Sequence, residues 1–175
     1  MGWFLRIMGL KEDILAGKVF VYPTDTIYGI GCDATNVESV GKIREIKKRE
    51  MKPFSVIAPS FEWIENNFIV DFDIKKFLPG PYTLLLKKKD INFLKHISEN
   101  DRVGVRIPKN DFCFSVQEIG VPFVTTSVNL SGEPFARSIL DIKKEILDLV
   151  NEVVNVGELN GNPSTLIIDG LEIKR

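Results

Sequence analysis

Two polar segments of the chain have the composition of binding loops for a small charged molecule. Residues 24–31 contain two threonines, an aspartate and two glycines, and they follow the apolar residues 19–22. Residues 127–132 contain two serines, an asparagine and a glycine, and they follow a predicted strand at 122–126. Hydroxyl groups and accessible backbone amides at strand ends commonly bind charged ligands. Tight turns use the same residue types, so composition alone leaves both interpretations open.

A basic segment could supply positive charge to such a site. Lys47, Lys48 and Arg49 stand at the end of a predicted helix whose apolar residues recur at helical spacing. Positive side chains are also stabilising near a helix C-terminus through the helix dipole, so a solvated helix end is the alternative interpretation. In either case we expect Lys47 and Arg49 to be at least partly exposed.

The composition excludes several classes of protein. The 175 residues carry a formal net charge of −1 and include two cysteines and one histidine. These counts do not fit a disulfide framework or an imidazole-rich metal site, so we expect no resident metal. No apolar run approaches the ~20 residues of a membrane-spanning helix, and the N-terminus lacks the pattern of a signal peptide. We therefore expect a cytoplasmic protein without membrane association.

The pattern of apolar residues predicts strands and helices that alternate along the chain. Helices are predicted at 10–16, from Asn36 to the basic segment, within 61–78, at 111–119 and at 138–150. Strands are predicted at 19–22, 54–58, 82–87, 103–107, 122–126, 166–169 and 171–175. Several strand pairs are joined too briefly for a helical crossover, which favours a layered α/β fold with a mixed sheet.

Six segments taken together give a more specific indication. They are YPTDTIYG at 22–29, IKKR at 46–49, PGPYT at 79–83, VRIP at 105–108, SVNLSG at 127–132 and STLIID at 164–169. In this order and spacing they resemble the YrdC-like family, the threonylcarbamoyl-AMP synthases. The resemblance implies an α/β fold in three layers, with a twisted mixed sheet and helices on both faces. It also implies a single YrdC-like domain over residues 1–175, the short form of the family.

The resemblance implies an ATP-dependent nucleotidyltransferase. Such enzymes make L-threonylcarbamoyladenylate from L-threonine, bicarbonate or CO2, and ATP, and they release pyrophosphate. Transferase proteins then move the threonylcarbamoyl group to adenosine 37 of tRNA. The nucleophile is the carbamate of the substrate, so the protein needs no nucleophilic side chain, and Mg²⁺ is expected with ATP on chemical grounds.

The resemblance also implies the site residues. Lys47 and Arg49 would be catalytic, as cations that hold the ATP phosphates. The implied ATP-binding residues are Lys47, Arg49, Lys52, Arg102, Ser127, Asn129, Phe135 and Arg175. Ser127 would offer a hydroxyl and Asn129 an amide to the nucleotide. The implied threonine-binding residues are Thr26, Arg106, Thr125 and Ser164, of which Arg106 could pair with the carboxylate.

Two other functions remain open from the sequence. One is carbamoyl adenylation, which a similar domain performs within much longer chains in hydrogenase maturation. The other is a double-stranded RNA or tRNA binding module, because recognition of RNA by shape needs clustered basic residues rather than a large net charge. An assay of pyrophosphate release with and without threonine would separate the three functions. Both enzymes require turnover, and only the first requires threonine.

Overall fold

The computed structural model describes residues 2–49 and 52–173, with side chains from residue 9 onward. The helices are α1 (Gly2–Leu15), α2 (Val37–Lys47), α3 (Phe61–Asn67), α4 (Asp111–Ile119) and α5 (Lys144–Leu147). The strands are β1 (Phe20–Pro23), β2 (Tyr28–Gly31), β3 (Ser55–Ile57), β4 (Phe68–Ile69), β5 (Tyr82–Lys88), β6 (Arg102–Arg106), β7 (Phe123–Ser127), β8 (Glu152–Val153), β9 (Thr165–Ile168) and β10 (Leu171–Ile173). None of the described helices is long and apolar enough to cross a bilayer.

The described strands form one mixed sheet, as the short connections predict. Its order is β10-β9-β5-β6-β3-β7-β2-β1-β8, and β4 pairs with β5 outside this path. The pairs β3–β6, β5–β9 and β1–β8 are parallel, and the remaining pairs are antiparallel. Antiparallel neighbours such as β1 and β2 need only a short loop, whereas parallel neighbours need a longer crossover.

Helices cover both faces of the sheet, which confirms the predicted three layers. Successive residues of β1 point to opposite faces, so Val21 packs in one core cluster and Tyr22 in the other. Buried residues of α2, α3 and α5 belong to the first cluster. Buried residues of α1 and α4 belong to the second, where Tyr22 and Phe123 meet at a centroid distance of 5.5 Å.

Local capping residues set the ends of two helices as the sequence predicts. The side chain of Asn36 accepts from the backbone N–H of Ser39 and begins α2. Helix α4 spans the predicted residues 111–119 and ends at Gly120, whose φ of 85° lies in the left-handed region. These boundaries depend on neighbours in the chain, which is why the sequence alone can predict them.

Several parts of the chain differ from the prediction. Within the segment 61–78, predicted to be helical, α3 is followed by the strand β4 and a short 3-10 turn, Ile74–Lys76. Residues 28–31 were predicted as loop, but they form β2, in which an added Cβ at Gly31 would overlap the carbonyl of Val124 on β7. These glycines therefore permit close strand packing rather than a turn. The helix predicted at 138–150 is instead a short 3-10 turn, Ile139–Asp141, followed by α5. The Asp141 carboxylate accepts from the N–H groups of Arg137 and Ser138, and the chain becomes extended at Ile142.

Candidate functional site

The sheet pairing brings the two polar segments together. Strands β2 and β7 are antiparallel neighbours, with Gly29 opposite Ser127. The loop that joins β1 to β2 and the loop that follows β7 therefore lie on either side of one cavity, whose volume is about 300 Å³. Of the residues predicted for the site, eight line this cavity: Thr26, Arg49, Arg106, Thr125, Ser127, Asn129, Phe135 and Ser164.

The four residues predicted to bind threonine lie together, on strands β6 and β7 and on loops next to β2 and β9. Thr26, Arg106 and Thr125 are buried, with 2%, 6% and 5% of their surface exposed. Thr26 shares a hydrogen bond of 2.8 Å with Thr24, and Ser164 shares one of 2.6 Å with Thr83. A buried hydroxyl needs a partner, so these bonds keep the cavity wall polar and ordered.

Among the described residues, three buried side-chain polar atoms have no hydrogen-bond partner. They are Nε of Arg49, Nε of Arg106 and Oδ1 of Asn129, and all three residues line the cavity. Leaving a buried polar group unpaired costs ~1–3 kcal/mol, more for a charged group. The cavity is therefore chemically complementary to a ligand with acceptor oxygens for both arginines and a donor hydrogen for Asn129.

Asn129 presents an oxygen rather than an N–H group to this ligand. Its Nδ2 donates to the carbonyl oxygens of Leu130 at 3.0 Å and Glu133 at 2.7 Å. Two carbonyl acceptors fix the orientation of the amide, because a side-chain oxygen in that place could donate to neither. The free Oδ1 accepts hydrogen bonds, which suits a hydroxyl or amine of a ligand better than a phosphate oxygen.

Lys47 differs from the prediction because it is buried, with 2% of its surface exposed. Its Nζ donates to the carbonyl oxygens of Ser127 and, at 2.7 Å, of Asn129. Burial, with a smaller effect from the charge of Arg49, lowers the pKa of Lys47 to about 8. The expectation of a partly exposed Lys47 was wrong, since the last turn of α2 faces the loop after β7 and two carbonyls satisfy the ammonium.

Arg49 reaches the cavity from the segment after α2. Its Nη2 donates to the carbonyl oxygen of Pro53 at 3.1 Å, and its guanidinium lies 5.7 Å from the centre of the Phe54 ring. Arg44 packs on the same ring at 4.4 Å and donates to the carbonyl oxygen of Lys52 at 2.9 Å. Burial and then the charge of Arg44 lower the pKa of Arg49.

Lys52 and Arg102, which are also predicted nucleotide contacts, do not line the cavity. Lys52 is exposed. Arg102 is the first residue of β6, whereas Arg106 is the last, and Arg102 forms an ion pair with Asp169 at 2.9 Å. Arg175 lies outside the described residues, and its assignment stays a prediction.

The sequence interpretation missed some polar residues of the cavity wall. Thr83 lines the cavity and bonds to Ser164. Its place in the PGPYT segment could have indicated it. Ser55 also lines the cavity, but no local pattern distinguishes it, because it enters only through the pairing of β3 with β6 and β7. The sequence also showed Asp25 only as part of a polar loop; it does not line the cavity, but its carboxylate pairs with Arg106, which does.

A second cavity of about 640 Å³ adjoins the first. Asn129, Glu133 and Phe135 line both cavities, and Arg137 and Lys143 line only the second. The guanidinium of Arg137 lies 5.1 Å from the centre of the Phe135 ring. The two spaces together could accept a ligand larger than an amino acid, with an aromatic ring beside it and both basic and acidic side chains in the wall of the second cavity.

The fold and this cavity define a class of α/β proteins that bind small charged ligands at the end of a mixed sheet. A family model described as "Telomere recombination", which carries the names Sua5, YciO and YrdC, matches residues 12–174. The chain therefore belongs to the Sua5/YciO/YrdC family, which confirms the resemblance seen in its sequence.

Similar proteins cover nearly all of the chain. A protein of Methanocaldococcus jannaschii is 39% identical over 165 residues, which are 90% of this chain and 77% of that relative. A relative in Marinobacter nauticus, named threonylcarbamoyl-AMP synthase, is 31% identical and covers 94% of this chain and 91% of its own length. The crystal structure of Pyrococcus abyssi Sua5 complexed with L-threonine is 29% identical with a TM-score of 0.82. The match covers 94% of this chain but 51% of the Sua5 chain, so this chain spans about half of that protein.

Proposed function

We propose that this protein is a threonylcarbamoyl-AMP synthase that uses L-threonine, bicarbonate or CO2, and ATP. The observation that carries the proposal is the group of three unpaired polar atoms, on Arg49, Arg106 and Asn129, around one cavity. A carboxylate and a phosphate would supply the acceptors, and a ligand hydroxyl or amine would supply the donor. Family membership and the names of the relatives support the same conclusion.

In the proposed reaction the amine of threonine and bicarbonate form a carbamate with loss of water. An oxygen of the carbamate then attacks the α-phosphorus of ATP, and the bond to pyrophosphate breaks. No protein nucleophile is needed, so the protein acts by orienting the reactants and stabilising phosphate charge. Arg106 with Thr26, Thr125 and Ser164 would hold threonine, and Arg49 would face the phosphates.

Lys47 would act on the nucleotide through the loop that it holds. Its ammonium already donates to the carbonyls of Ser127 and Asn129. Because these backbone carbonyls are held in place, the side-chain hydroxyl of Ser127 and the side-chain Oδ1 of Asn129 are held in place as well. Mg²⁺ would arrive on the ATP phosphates, because it usually binds proteins through few side chains plus substrate phosphates. The described residues contain no group of three or more His, Cys, Asp or Glu side chains that could hold it alone.

The product would serve tRNA modification. Threonylcarbamoyl-AMP is an activated mixed anhydride, so a transferase protein would have to take the threonylcarbamoyl group to adenosine 37 of tRNA. Direct contact of this chain with tRNA or double-stranded RNA is a separate proposal. A salt-dependent affinity for RNA would be its signature.

The test is release of pyrophosphate from ATP by the purified protein. Release that needs both L-threonine and bicarbonate is the expected result, and reactions lacking either compound are the controls. In a reaction supplied with carbamoyl phosphate, release of pyrophosphate without threonine would instead indicate carbamoyl adenylation. RNA binding with no turnover under any of these conditions would favour an RNA-binding module.

A further inference from the structure

A buried ion pair joins Arg106, which lines the cavity, to Asp25, which does not. Nη2 of Arg106 is 2.9 Å from Oδ1 of Asp25, and the two side chains are 8% and 9% exposed. The same Nη2 lies 3.4 Å from the hydroxyl oxygen of Thr26. Burial of a guanidinium without a counter-charge would be costly, so Asp25 is what allows Arg106 to lie inside the wall.

Both carboxylate oxygens of Asp25 are occupied. Oδ1 accepts from Arg106, and Oδ2 accepts from the backbone N–H of Lys109 at 2.9 Å. Asp25 belongs to the loop that joins β1 to β2, whereas Arg106 and Lys109 belong to the end of β6 and the segment after it. The carboxylate therefore ties two separate parts of the chain together, and both of its oxygens already accept hydrogen bonds from the protein.

The pair leaves part of the guanidinium without a hydrogen-bond partner. Nε of Arg106 is buried and has no partner, and the residue lines the cavity. An arginine fork that is held on one side can offer its remaining N–H groups to a planar carboxylate with little further loss of freedom. The direction of those groups is set by the contacts of Nη2 with Asp25 and Thr26.

We propose that Asp25 is a positioning residue that aims Arg106 at the carboxylate of the amino-acid substrate. The inference rests on the proposed function and extends it to a residue outside the predicted site. Asp25 does not touch the substrate and acts only through Arg106. Its loss should therefore weaken the recognition of a carboxylate and leave the recognition of the rest of the amino acid unchanged.

The experiment compares two ligands on three proteins by titration calorimetry. The ligands are L-threonine and L-threoninamide, which lacks the carboxylate. The proteins are the wild type, Asp25→Asn and the control Asp33→Asn. Asp33 is also buried, and its carboxylate bonds only within its own turn, to the N–H and hydroxyl of Thr35.

We expect Asp25→Asn to lower the affinity for L-threonine by about tenfold to a hundredfold. The affinity for L-threoninamide should change by less than about twofold, and Asp33→Asn should preserve the preference for threonine over threoninamide. An equal loss for both ligands would show that Asp25 merely supports the fold. Unchanged affinity for threonine would overturn the proposal outright.

A second variant covers the case in which Asp25→Asn does not fold. Asp25→Glu keeps the charge but moves the carboxylate by one methylene group, so the guanidinium should be misaligned and the preference for threonine over threoninamide should fall. An unchanged preference in a folded Asp25→Glu protein would overturn the proposal.

Calorimetry needs no turnover, which separates this inference from the proposed function. A wild type that binds threonine but releases no pyrophosphate would refute the synthase activity alone, and the two ligands would still decide the role of Asp25. A wild type that binds no threonine would refute both.

Discussion

Lys47 and Arg49 are two residues apart, but the structure gives them different surroundings. The ammonium of Lys47 is enclosed by carbonyl oxygens of the loop after β7. The guanidinium of Arg49 lines the cavity and keeps an unpaired Nε. At the scale of single residues, a basic motif thus contains one side chain that holds a loop and one that is available to a ligand.

Substitution of each residue by alanine should separate these roles. Arg49→Ala should reduce pyrophosphate release by about a hundredfold or more while the melting temperature changes little. Lys47→Ala should reduce release comparably and also destabilise the protein by ~1–3 kcal/mol, because two carbonyls lose their donor. The exposed neighbour Lys48 gives the matched control, and Lys48→Ala should behave as wild type. Near-normal turnover of both Lys47→Ala and Arg49→Ala would exclude this motif from the site.

The lowered pKa of Lys47 predicts a dependence of stability on pH. The pKa of Lys47 is about 8 in the folded protein, whereas in the unfolded chain it has the ordinary lysine value of 10.5. Between these two pH values the unfolded chain therefore binds more protons than the folded protein. Stability therefore rises with pH in this window. Relative to Lys47→Met, the wild type should gain ~2 kcal/mol of unfolding free energy between pH 7 and pH 10.

Denaturant titrations at the two pH values measure this gain. Lys48→Met, in which an exposed lysine is replaced, is the control for general effects of alkaline pH. A difference between wild type and Lys47→Met that is constant with pH would mean that Lys47 keeps its ordinary pKa in the fold.

At the scale of elements, the segment between β8 and β9 forms part of the cavity wall. Pro163 and Ser164 line the cavity, and Gly161 lies against the backbone of Thr26. Arg137 holds this segment by donating to the carbonyl of Gly161 at 3.0 Å and to Oδ1 of Asn162 at 2.8 Å. The position of the loop that joins β1 to β2 and contains Thr26 thus depends on a segment more than a hundred residues later in the chain.

Gly161→Ala should disturb the cavity. The added Cβ would overlap the carbonyl and Cα of Thr26, which are backbone atoms that cannot move aside cheaply. We expect a lower melting temperature and an affinity for L-threonine reduced by about tenfold. Gly41→Ala is the control, because a Cβ at Gly41 in α2 meets nothing within 4 Å. Wild-type threonine affinity in Gly161→Ala would show that this contact does not shape the site.

At the scale of the whole molecule, parts of β2, β3, β5, β6 and β7, which are neighbouring strands of the sheet, lie around a polar cavity. The two apolar clusters on opposite faces of the sheet hold these strands in place. Ligand binding at such a site should stabilise the entire fold, because the site exists only when the strands are paired.

L-Threonine should raise the melting temperature, and L-valine should raise it far less. Valine has the shape of threonine without the hydroxyl, so it would leave polar groups of a wall built from Thr26, Thr125 and Ser164 without partners. Thermal unfolding at equal concentrations of the two amino acids measures the difference. Equal shifts would mean that these hydroxyls do not recognise the side chain.

The sequence by itself determined the features that depend on near neighbours. These include the capped start of α2 at Asn36, the extent of α4 and the mixed sheet that short connections require. Its six ordered segments also indicated the family, and the family resemblance in turn implied eight of the residues that line the cavity. Such features are readable because caps, turns and apolar periodicity act within a few residues.

Only the tertiary structure decided which polar groups are buried together. Lys47 meets its carbonyl partner Ser127 across 80 positions of the chain, and Arg106 meets Asp25 across 81. Residues 28–31 form a strand because β1 and β7 flank them, although their glycines favour a turn locally. The free energy of a buried charge or a paired strand depends on partners that are distant in sequence, and the fold alone brings those partners within reach.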